Sequence, residues 1–426
     1  MTVLGLDDTD SATRGMCTTY VAAKIAERLP GACRTFLIRL NPAIEYKTRG
    51  NGAVAITTDT GLDEAFAIGE EVLEEFAITT DPATNPGLVG VASPAQRPDA
   101  LHQYAIEAVR DVHPLSSVTE QVPRLVDRSR GWGDRRGLIG ATAAIGAANV
   151  YEASARGCPK DGVFADWTVE LIAYREPQRW GSDRLIEPES LAAGLTPEDG
   201  TVWDNIDAQS GELVCLPNSP CPVLVGLRGD DPNTLRTVLA QLEGESIAND
   251  RLFLTNQGTD VHLRPGVPGR LREQRAYRLA GTVASSPETL EGGHVRVSLV
   301  VGERRLRCFA FEPTKRFRSS VRALRAGDRV LVCGGFNNGA LNLEKFAVLE
   351  LRRTERVVPE CSDCGKRMES AGRGQGYRCK ECPTRRPSRT RQPIQRELDI
   401  GWYEVPPDAR RHLAKPLVRG MPYGPQ

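Results

Sequence analysis

Two cysteine pairs near the C-terminus constrain the fold of this chain more than any other feature. Cys361 and Cys364 form one Cys-x-x-Cys pair, and Cys379 and Cys382 form a second after a glycine-rich stretch. Zinc binds four thiolates tetrahedrally, and two such pairs have the spacing of a zinc ribbon. The four cysteines fill the coordination shell, so the predicted Zn²⁺ is structural. Disulfide pairing is the alternative.

Basic residues surround this predicted zinc ribbon, which we place at residues 357–386. A basic ribbon most often binds nucleic acid, and a purely structural role is the alternative. The basic residues concerned are Arg373, Arg378, Lys380, Arg385 and Arg386. Residues 387–426 follow as a tail rich in arginine and proline, which we predict to be disordered and specific to its lineage.

The bulk composition predicts a reduced, multidomain protein of the cytoplasm. A chain of 426 residues exceeds what one hydrophobic core usually organises. Most of its 11 cysteines are scattered singly, which favours a reducing compartment. Lys+Arg and Asp+Glu both number 55, so the net charge indicates no particular partner. We recognise neither a signal peptide nor an apolar stretch of about 20 residues that could span a membrane.

An acidic loop follows the first predicted strand. Residues 3–6 form a short apolar run typical of a buried strand, and helical spacing of apolar residues begins at position 21. Between them lie Asp7, Asp8 and Asp10. Mg²⁺ is usually held by one or two carboxylates and completes its shell with water and phosphate oxygens. The loop is therefore a candidate magnesium site.

Backbone amides at the start of the next helix complement these carboxylates. Met16, Cys17, Thr18 and Thr19 lie where the helix is predicted to begin, and amides at that position bind phosphate readily. Carboxylates for a metal beside amides for an anion form the arrangement that phosphoryl transfer requires. A solvated, charge-rich turn is the alternative.

A second candidate phosphate loop is the sequence YKTRGNG at residues 46–52. Its cations can neutralise a phosphate, and its glycines let backbone amides approach a ligand closely. An ordinary β-turn with surface charges is the alternative. The candidate ligand-binding residues are Lys47, Arg49, Gly50, Asn51 and Gly52.

One further motif, and the absence of several known ones, limit the kinds of reaction that this chain could catalyse. GWGDRRGLIGA at residues 131–141 again combines glycines with Arg135 and Arg136, and it is a further phosphate- or RNA-facing candidate. The sequence contains no G-x-x-x-x-G-K-[ST], G-x-S-x-G or H-E-x-x-H motif. The five histidines are scattered, and we assign no catalytic role to His262.

The order of these motifs resembles that of one known family. The chain carries, in sequence, GLDDTDSATRGMCTTY, RLNPAIEYKTRGNGAVAI, TNPG, RGLIGATAAIG, SPCPVLVGLRG, TNQGTDVHL, EPTKRFR and the zinc ribbon. The same order is found in the archaeal agmatidine synthases, or tRNA-isoleucine 2-agmatinylcytidine synthetases. The resemblance spans nearly the whole chain up to Cys382.

This resemblance implies a multidomain α/β (α+β) fold. A kinase-like ATP-binding catalytic domain would occupy residues 1–112 and part of 113–200, and a ferredoxin-like domain residues 113–263. An OB-fold barrel that binds nucleic acid would follow at 275–352, where alternating strands and glycine-rich turns independently favour a small barrel. The zinc ribbon (357–386) would follow the barrel.

The resemblance also implies a ligase that forms a carbon–nitrogen bond at the expense of ATP. ATP would activate the 2-carbonyl oxygen of the wobble cytidine in an isoleucine tRNA with a CAU anticodon. The amine of agmatine would then displace this oxygen to give agmatidine, so that the tRNA reads AUA. Family members cleave ATP to AMP and carry phosphate on a threonine that corresponds to Thr18.

Two assignments concern the substrates of this reaction. The guanidinium of agmatine favours a bidentate carboxylate, and Asp166 and Glu170 are the candidates. The wobble base must leave its stack, which costs a few kcal/mol, so the RNA must be held elsewhere. Phe309, Phe311 and Phe317 can stack on bases, although we expect at least two of them to pack in the core.

Two other functions stay open from the sequence. The chain could be an RNA-binding protein without catalysis, in which the acidic loop is a solvated turn. It could also be an RNA kinase that stops at a phosphorylated intermediate and transfers no amine.

Overall fold

The computed structural model describes residues 1–44, 50–156, 162–192, 194–195 and 200–424. Within these ranges the chain forms two large β-sheets, followed by small sheets near the C-terminus. Helices cover the first sheet, and the second closes into a barrel. This arrangement confirms the expected mixed α/β architecture. None of the helices in these ranges combines the length and apolar character that crossing a membrane requires.

The first sheet joins the two halves of the α/β region. Its strands are β1 (Thr2–Asp7), β2 (Arg34–Arg39), β3 (Gly52–Thr58), β4 (Gly87–Ala92), β5 (Arg128–Gly131), β6 (Thr168–Arg175), β7 (Val223–Gly229) and β8 (Ile247–Thr255). They lie in the order β5-β4-β1-β3-β2-β8-β6-β7, and the parallel pairing of β2 with β8 connects early strands to late ones. The sheet continues across the boundary proposed at residue 112, which stays a prediction.

Helices pack on both faces of this sheet. They are α1 (Thr18–Arg28), α2 (Leu62–Phe76), α3 (Pro98–Arg110), α4 (Ser117–Glu120), α5 (Val122–Leu125), α6 (Gly137–Ala155), α7 (Pro188–Ala192) and α8 (Pro232–Ala240). Side chains alternate across a strand, so Val3 of β1 joins the core formed with α3 and α6, whereas Leu4 joins the core formed with α1 and α2. Burial on both faces explains the unbroken apolar run at residues 3–6.

The second sheet is a five-stranded barrel with short additional strands. Its members are β9 (Leu263–Pro265), β10 (Arg275–Val283), β11 (Glu288–Thr289), β12 (Val295–Val301), β13 (Arg304–Ala310), β14 (Arg329–Asn337) and β15 (Ala340–Glu350), with α9 (Phe317–Arg322) before β14. Pairing of β12 with β10 closes the barrel, as expected for residues 275–352. Asn338 and Gly339 adopt φ angles of 54° and 68°, as a two-residue hairpin turn requires.

Small sheets surround the four clustered cysteines. β16 (Thr354–Val357) pairs with β20 (Thr390–Pro393), and a separate three-stranded sheet contains β17 (Glu369–Ser370), β18 (Tyr377–Arg378) and β19 (Arg385–Arg386). The cysteine pairs lie on the turns around the three-stranded sheet β17-β18-β19, as in the predicted zinc ribbon.

The tail after the ribbon is folded, so the prediction of disorder for residues 387–426 was wrong. Strand β21 (Gly401–Glu404) pairs antiparallel with β15. Leu398 and Val405 are buried in the barrel core, and Leu413 is buried in the α3–α6 core. The arginine- and proline-rich composition concealed a few apolar side chains that are spaced widely enough to anchor the segment at several points.

The three barrel phenylalanines also differ from expectation. Phe317 is buried in the barrel core, as predicted. Phe311 is 40% exposed, and Phe309 stacks on it with a ring-centroid distance of 5.9 Å. Core packing therefore accounts for one of the three rings, because Phe309 and Phe311 form an aromatic pair that reaches the surface.

We expect Leu413→Ala to lower the thermal unfolding midpoint of the full-length protein. Truncating a fully buried leucine costs about 2–5 kcal/mol. Leu115→Ala is the matched control, because Leu115 is 40% exposed. Equal midpoints for the two variants, measured by differential scanning fluorimetry, would show that the tail is not folded onto the α/β core.

Candidate functional site

A cavity of about 1130 Å³ is lined by residues from both halves of the first sheet. Pockets for single small ligands usually measure about 300–1,000 Å³, so this cavity has room for more than one small molecule. It brings together ten of the residues predicted for catalysis or ligand binding. These are Asp7, Asp8, Asp10, Cys17, Thr18, Thr19, Gly50, Asn51, Gly52 and Glu170.

The acidic loop is held against helix α6. A Cβ atom added to Gly140 would lie 1.9 Å from Oδ2 of Asp7, so only glycine leaves room for this carboxylate. The backbone N–H of Asp8 donates a 2.7 Å hydrogen bond to Oδ1 of Asp7. Asp8 itself adopts a left-handed φ of 57°, and its Oδ2 accepts a 2.9 Å hydrogen bond from the backbone N–H of Asn85. Packing and hydrogen bonds therefore fix both carboxylates.

Desolvation and nearby negative charge make these carboxylates hard to ionise. Loss of water raises the pKa of Asp7 well above its ordinary value, and the negative charge of Asp8 raises it further. Desolvation likewise raises the pKa of Asp8 to about 6, although its hydrogen bond from Asn85 opposes the shift. A cation bound beside the two groups would favour their charged forms.

These aspartates do not form a closed metal cage. In the described part of the chain, only the four clustered cysteines place three or more metal-ligating atoms within 4.8 Å of one another. Carboxylates on one side of an open cavity fit Mg²⁺, which commonly keeps several water or phosphate ligands. The donor set is therefore compatible with a half-filled shell.

Helix α1 presents its N-terminus to the same cavity. The preceding Cys17 is extended, and its side chain does not cap the first turn. Thr18 is buried but lines the cavity, and its Oγ1 accepts a 3.1 Å hydrogen bond from Oγ1 of Thr9. The side chain of Met16 packs in the α1–α2 core, so Met16 can offer a ligand only its backbone.

The glycine turn before β3 forms another wall. An added Cβ on Gly50 would lie 2.8 Å from Nη1 of Arg39 and 3.0 Å from Nε2 of His412. Asn51 adopts a φ of 44° and donates a 2.7 Å hydrogen bond from Nδ2 to the carbonyl of Asn41. The predicted cations Lys47 and Arg49 fall outside the described residues, and their roles stay predictions.

Glu170 is the one predicted agmatine ligand that lines the cavity. Its carboxylate lies 3.3 Å from Arg39 and 3.8 Å from Arg228, and it accepts a 2.7 Å hydrogen bond from Gln257. Two guanidinium groups of the chain thus already balance its charge. A cationic ligand at Glu170 would have to compete with them.

Asp166, the other predicted agmatine ligand, is not among the residues that line this cavity. Its carboxylate lies 3.1 Å from Lys415 and 3.0 Å from Arg419, so two cations of the C-terminal tail pair with it. Its role in binding agmatine stays a prediction.

The cavity also contains residues that the sequence did not single out. Asn85 Oδ1 accepts a 2.9 Å hydrogen bond from the backbone of Asp134, which links the TNPG turn to the GWGDRRGLIGA loop. Arg136 of that loop lines the cavity, in agreement with its selection as a phosphate-facing candidate. Further lining residues include Arg39, Asp111, His113, Arg228 and His412. Arg39 and Arg228 lie in motifs that carry the family resemblance, but their contact with the cavity, like that of Asp111, His113 and His412, is visible only in the fold.

The four clustered cysteines fit a zinc ion. Their sulfur atoms all lie within 4.8 Å of one another, and those of Cys364 and Cys379 are 3.5 Å apart. Tetrahedral zinc with Zn–S bonds of about 2.3 Å requires sulfur separations of about 3.8 Å. The donor set therefore matches the structural site predicted from the spacing.

Comparison with known families gives matches in three segments. The model described as the TiaS TCKD domain matches residues 3–71, and that of the TiaS FLD domain matches residues 135–262. The model of the TiaS C-terminal zinc ribbon domain matches residues 358–398.

Individual proteins match over the whole length. The tRNA 2-agmatinylcytidine synthetase TiaS of Haloquadratum walsbyi is 41% identical, with 99% of this chain and 98% of the relative covered. The crystal structure of TiaS in complex with its isoleucine tRNA and ATP has a TM-score of 0.85 at 39% identity, covering 100% and 99% of the two chains. That of TiaS with the same tRNA, AMPCPP and agmatine has a TM-score of 0.82 at 37% identity, covering 100% and 98%. Such coverage includes nearly all of the tail, so the tail is not specific to this lineage.

Asp8→Asn should stabilise the ligand-free protein at high pH. The folded-state pKa of about 6 exceeds the ordinary 3.8, so ionised Asp8 destabilises the fold above pH 6. This destabilisation disappears below about pH 4, where the carboxyl is protonated in both states. We expect a higher melting temperature than wild type at pH 8, by about 2 °C or more, and a smaller difference at pH 4. Exposed Asp59→Asn is the control, and a pH-independent difference for Asp8→Asn would contradict the prediction.

Cys361→Ser should lose the bound zinc. We expect about one zinc per chain in the wild type and in the control Cys33→Ser, and a large loss in Cys361→Ser, because the site would keep three thiolates. Elemental analysis of proteins purified from zinc-supplemented medium measures the content. Full zinc content in Cys361→Ser would refute the assignment.

Proposed function

Because the chain belongs to the TiaS family of tRNA 2-agmatinylcytidine synthetases, we propose that it performs the reaction of this family. It uses ATP to activate the 2-carbonyl of the wobble cytidine in CAU-anticodon isoleucine tRNA, and it joins agmatine there to form agmatidine. Solved structures of its relatives contain the isoleucine tRNA with ATP, or the same tRNA with AMPCPP and agmatine. The reaction takes place in the cytoplasm.

The observation that carries this function is the shared cavity. The acidic loop, the N-terminus of α1 and the glycine turn at residues 50–52 face one space of about 1130 Å³. Carboxylates for a metal and amides for an anion are thereby placed next to room for a base and an amine. A non-catalytic RNA-binding protein has no need for such a cavity, nor for two desolvated carboxylates with raised pKa values.

Asp7, Asp8 and Asp10 would hold Mg²⁺ with the polyphosphate of ATP. When bound, the ion supplies positive charge that neutralises the phosphate oxygens during transfer. The chain itself keeps Asp7 and Asp8 fixed through α6 and Asn85, so the carboxylates do not have to reorganise. Preorganised charge of this kind is often the largest single contribution to catalysis.

Thr18 and its neighbours would face the phosphate that is moved. The amides of Cys17 and Thr19, and the backbone of Met16, lie at the uncapped start of α1, where the helix dipole favours an anion. Thr18 Oγ1 lies in the cavity wall and is the proposed phosphate acceptor. Gly50, Asn51 and Gly52 would bind phosphate from the opposite wall, together with Lys47 and Arg49.

The remaining cavity must bind an amine and a flipped cytosine. A cytosine carbonyl is a poor electrophile, so phosphorylation of its oxygen provides the leaving group that agmatine displaces. Glu170 is the candidate in this cavity for contact with agmatine, with Arg39 and Arg228 as its competing partners.

RNA would be held by the barrel and the ribbon. Exposed Phe311 and half-buried Phe309, which stack on each other, offer a stacking surface, and stacking contributes about 1–3 kcal/mol per base. Arginines 385, 386, 389 and 391 are exposed beside the ribbon and can contact phosphates. Contacts of this kind would offset the cost of moving the wobble base out of its stack.

We expect Asp7→Asn to abolish agmatine transfer. Labelled agmatine, ATP, Mg²⁺ and unmodified tRNA are incubated with the protein, and label in the RNA is measured. Loss of a metal carboxylate removes several kcal/mol of transition-state stabilisation, so the rate should fall at least about 100-fold. Asp63→Asn, at a side chain that is 90% exposed, should behave as wild type. Failure of the wild type to label the RNA would refute the function.

The nucleotide product separates the ligase from an RNA kinase. We expect AMP to be formed and turnover to depend on agmatine. An RNA kinase would consume ATP equally well without agmatine and release only ADP. Thin-layer chromatography of labelled ATP, with and without agmatine, distinguishes the two results.

A further inference from the structure

The C-terminal residues 401–424 form a strap between the barrel and the first sheet. The strap begins with β21, in which Tyr403 pairs with Phe346 of the barrel. Further along, Leu413 is fully buried among side chains of the α3–α6 core. The backbone N–H groups of Gly258 and Asp260 donate 2.8 Å hydrogen bonds to the carbonyls of His412 and Leu413. One short segment therefore contacts both large sheets.

Buried charges join the strap to both sheets. Asp260 lies 2.8 Å from Nζ of Lys345 on the barrel, and it accepts hydrogen bonds of 2.7 Å from the backbone of Lys415 and from the hydroxyl of Tyr423. Asp260 and Lys345 are buried, and loss of one partner of a buried ion pair costs several kcal/mol. The strap thus has a defined position relative to the barrel.

The other end of the strap is paired to the late strands of the first sheet. Arg419 contacts Asp166 at 3.0 Å and Asp230 at 2.8 Å, and its guanidinium lies over the ring of Trp203. Arg410 is buried and contacts Asp204 at 3.4 Å. Ion pairs on both sides of residues 411–413 hold this stretch against the cavity.

His412 is the one residue of the strap that lines the catalytic cavity. Its ring lies against Gly50 beside Arg39, because a Cβ atom added to Gly50 would lie 3.0 Å from Nε2 of His412 and 2.8 Å from Nη1 of Arg39, so two basic side chains border the start of this turn. His412 also borders a smaller cavity of about 370 Å³, which shares Arg39, Leu40 and Gly50 with the main one. The ring is thus part of the wall between these two spaces.

Two contacts anchor the strap at residues 412–413 without the imidazole of His412. They are made by the backbone carbonyl of His412 and by the buried side chain of Leu413. Replacing the imidazole leaves both contacts in place, so the unfolding midpoint of a His412 variant reports separately on any stability that the ring contributes.

We propose that His412 is a positioning residue that holds the turn at residues 50–52 in its nucleotide-binding conformation. The inference rests on the proposed function, in which this turn binds the phosphates of ATP. The strap contacts both the barrel, which would bind RNA, and the turn at residues 50–52, which would bind nucleotide, and so links the two. A positioning error of about 1 Å at such a turn can reduce the rate of reaction by about 100-fold.

The test compares His412→Ala with His412→Gln and with Val418→Ala in the full-length protein. Val418 is the matched strap control, because its side chain is 48% exposed and lies away from the cavity. Agmatine incorporation gives KM for ATP and for agmatine, filter binding gives Kd for tRNA, and fluorimetry gives the unfolding midpoint.

His412→Ala should raise KM for ATP by about tenfold or more, whereas KM for agmatine and Kd for tRNA should change by less than about twofold. His412→Gln should recover part of the loss, because an amide fills similar space and can donate a hydrogen bond. Val418→Ala should match the wild type, and all three midpoints should agree within about 2 °C.

Two results would overturn the inference. The first is an unchanged KM for ATP in His412→Ala. The second is a loss of ATP affinity, tRNA affinity and unfolding midpoint together, which would mean that the ring acts only through stability. A wild type that transfers no agmatine at all would instead refute the proposed function, so the two failures are distinguishable.

Discussion

Helix α6 packs so closely on strands β1 and β4 that the contact leaves no room for side chains, and the rest of the site depends on this contact. A Cβ atom on Gly5 would lie 2.2 Å from the carbonyl oxygen of Ala141, and one on Gly87 would lie 2.2 Å from the backbone of Leu138. The helix can approach so closely because glycines stand at the points of contact, namely Gly5 and Gly87 on the strands and Gly137 and Gly140 on the helix. Asp7, at the end of β1, is consequently held against Gly140, where water has little access.

Charges inside this protein fall into two kinds. Glu170 and Asp260 are buried with cations of the chain, namely Arg39 and Lys345, and such pairs specify geometry more than they add stability. Asp7 and Asp8 instead lie in a desolvated loop, and loss of water is the main cause of the raised pKa of both. Neighbouring carboxylates, Asp8 for Asp7 and Asp10 for Asp8, raise these pKa values further. A bound cation would offset the cost of ionising these desolvated carboxylates, so the acidic loop is the part of the cavity that is suited to bind a cation.

Much of the site could be predicted from local sequence. The carboxylates of the acidic loop, Thr18 and the turn beginning at Gly50 each belong to a short motif whose chemistry is readable without a structure, and they line one cavity. The contact of Arg39 and His412 with the cavity could not be found this way. Arg39 begins the motif RLNPAIEYKTRGNGAVAI but had no assigned chemistry, and His412 lies in the distant tail. Tertiary packing brings both side chains to the cavity.

The errors have a common physical origin. Composition suggested that the tail is disordered, but three widely spaced apolar residues and several arginines suffice to anchor it to cores and carboxylates that already exist. The ion partners of Asp166 were likewise hidden, because Lys415 and Arg419 lie about 250 residues away in sequence. Long-range partners of charged groups are not encoded in local patterns.

Proton release on nucleotide binding tests most directly whether the acidic loop receives the cation. Calorimetric titration with Mg²⁺ and AMPCPP at pH 6, in buffers of different ionisation enthalpy, measures the protons released. With the pKa of Asp8 at about 6, binding should release about half a proton or more at pH 6, and clearly less at pH 8 and in Asp8→Asn. Binding without proton release at pH 6, or a release that Asp8→Asn leaves unchanged, would contradict the placement of the cation at this loop.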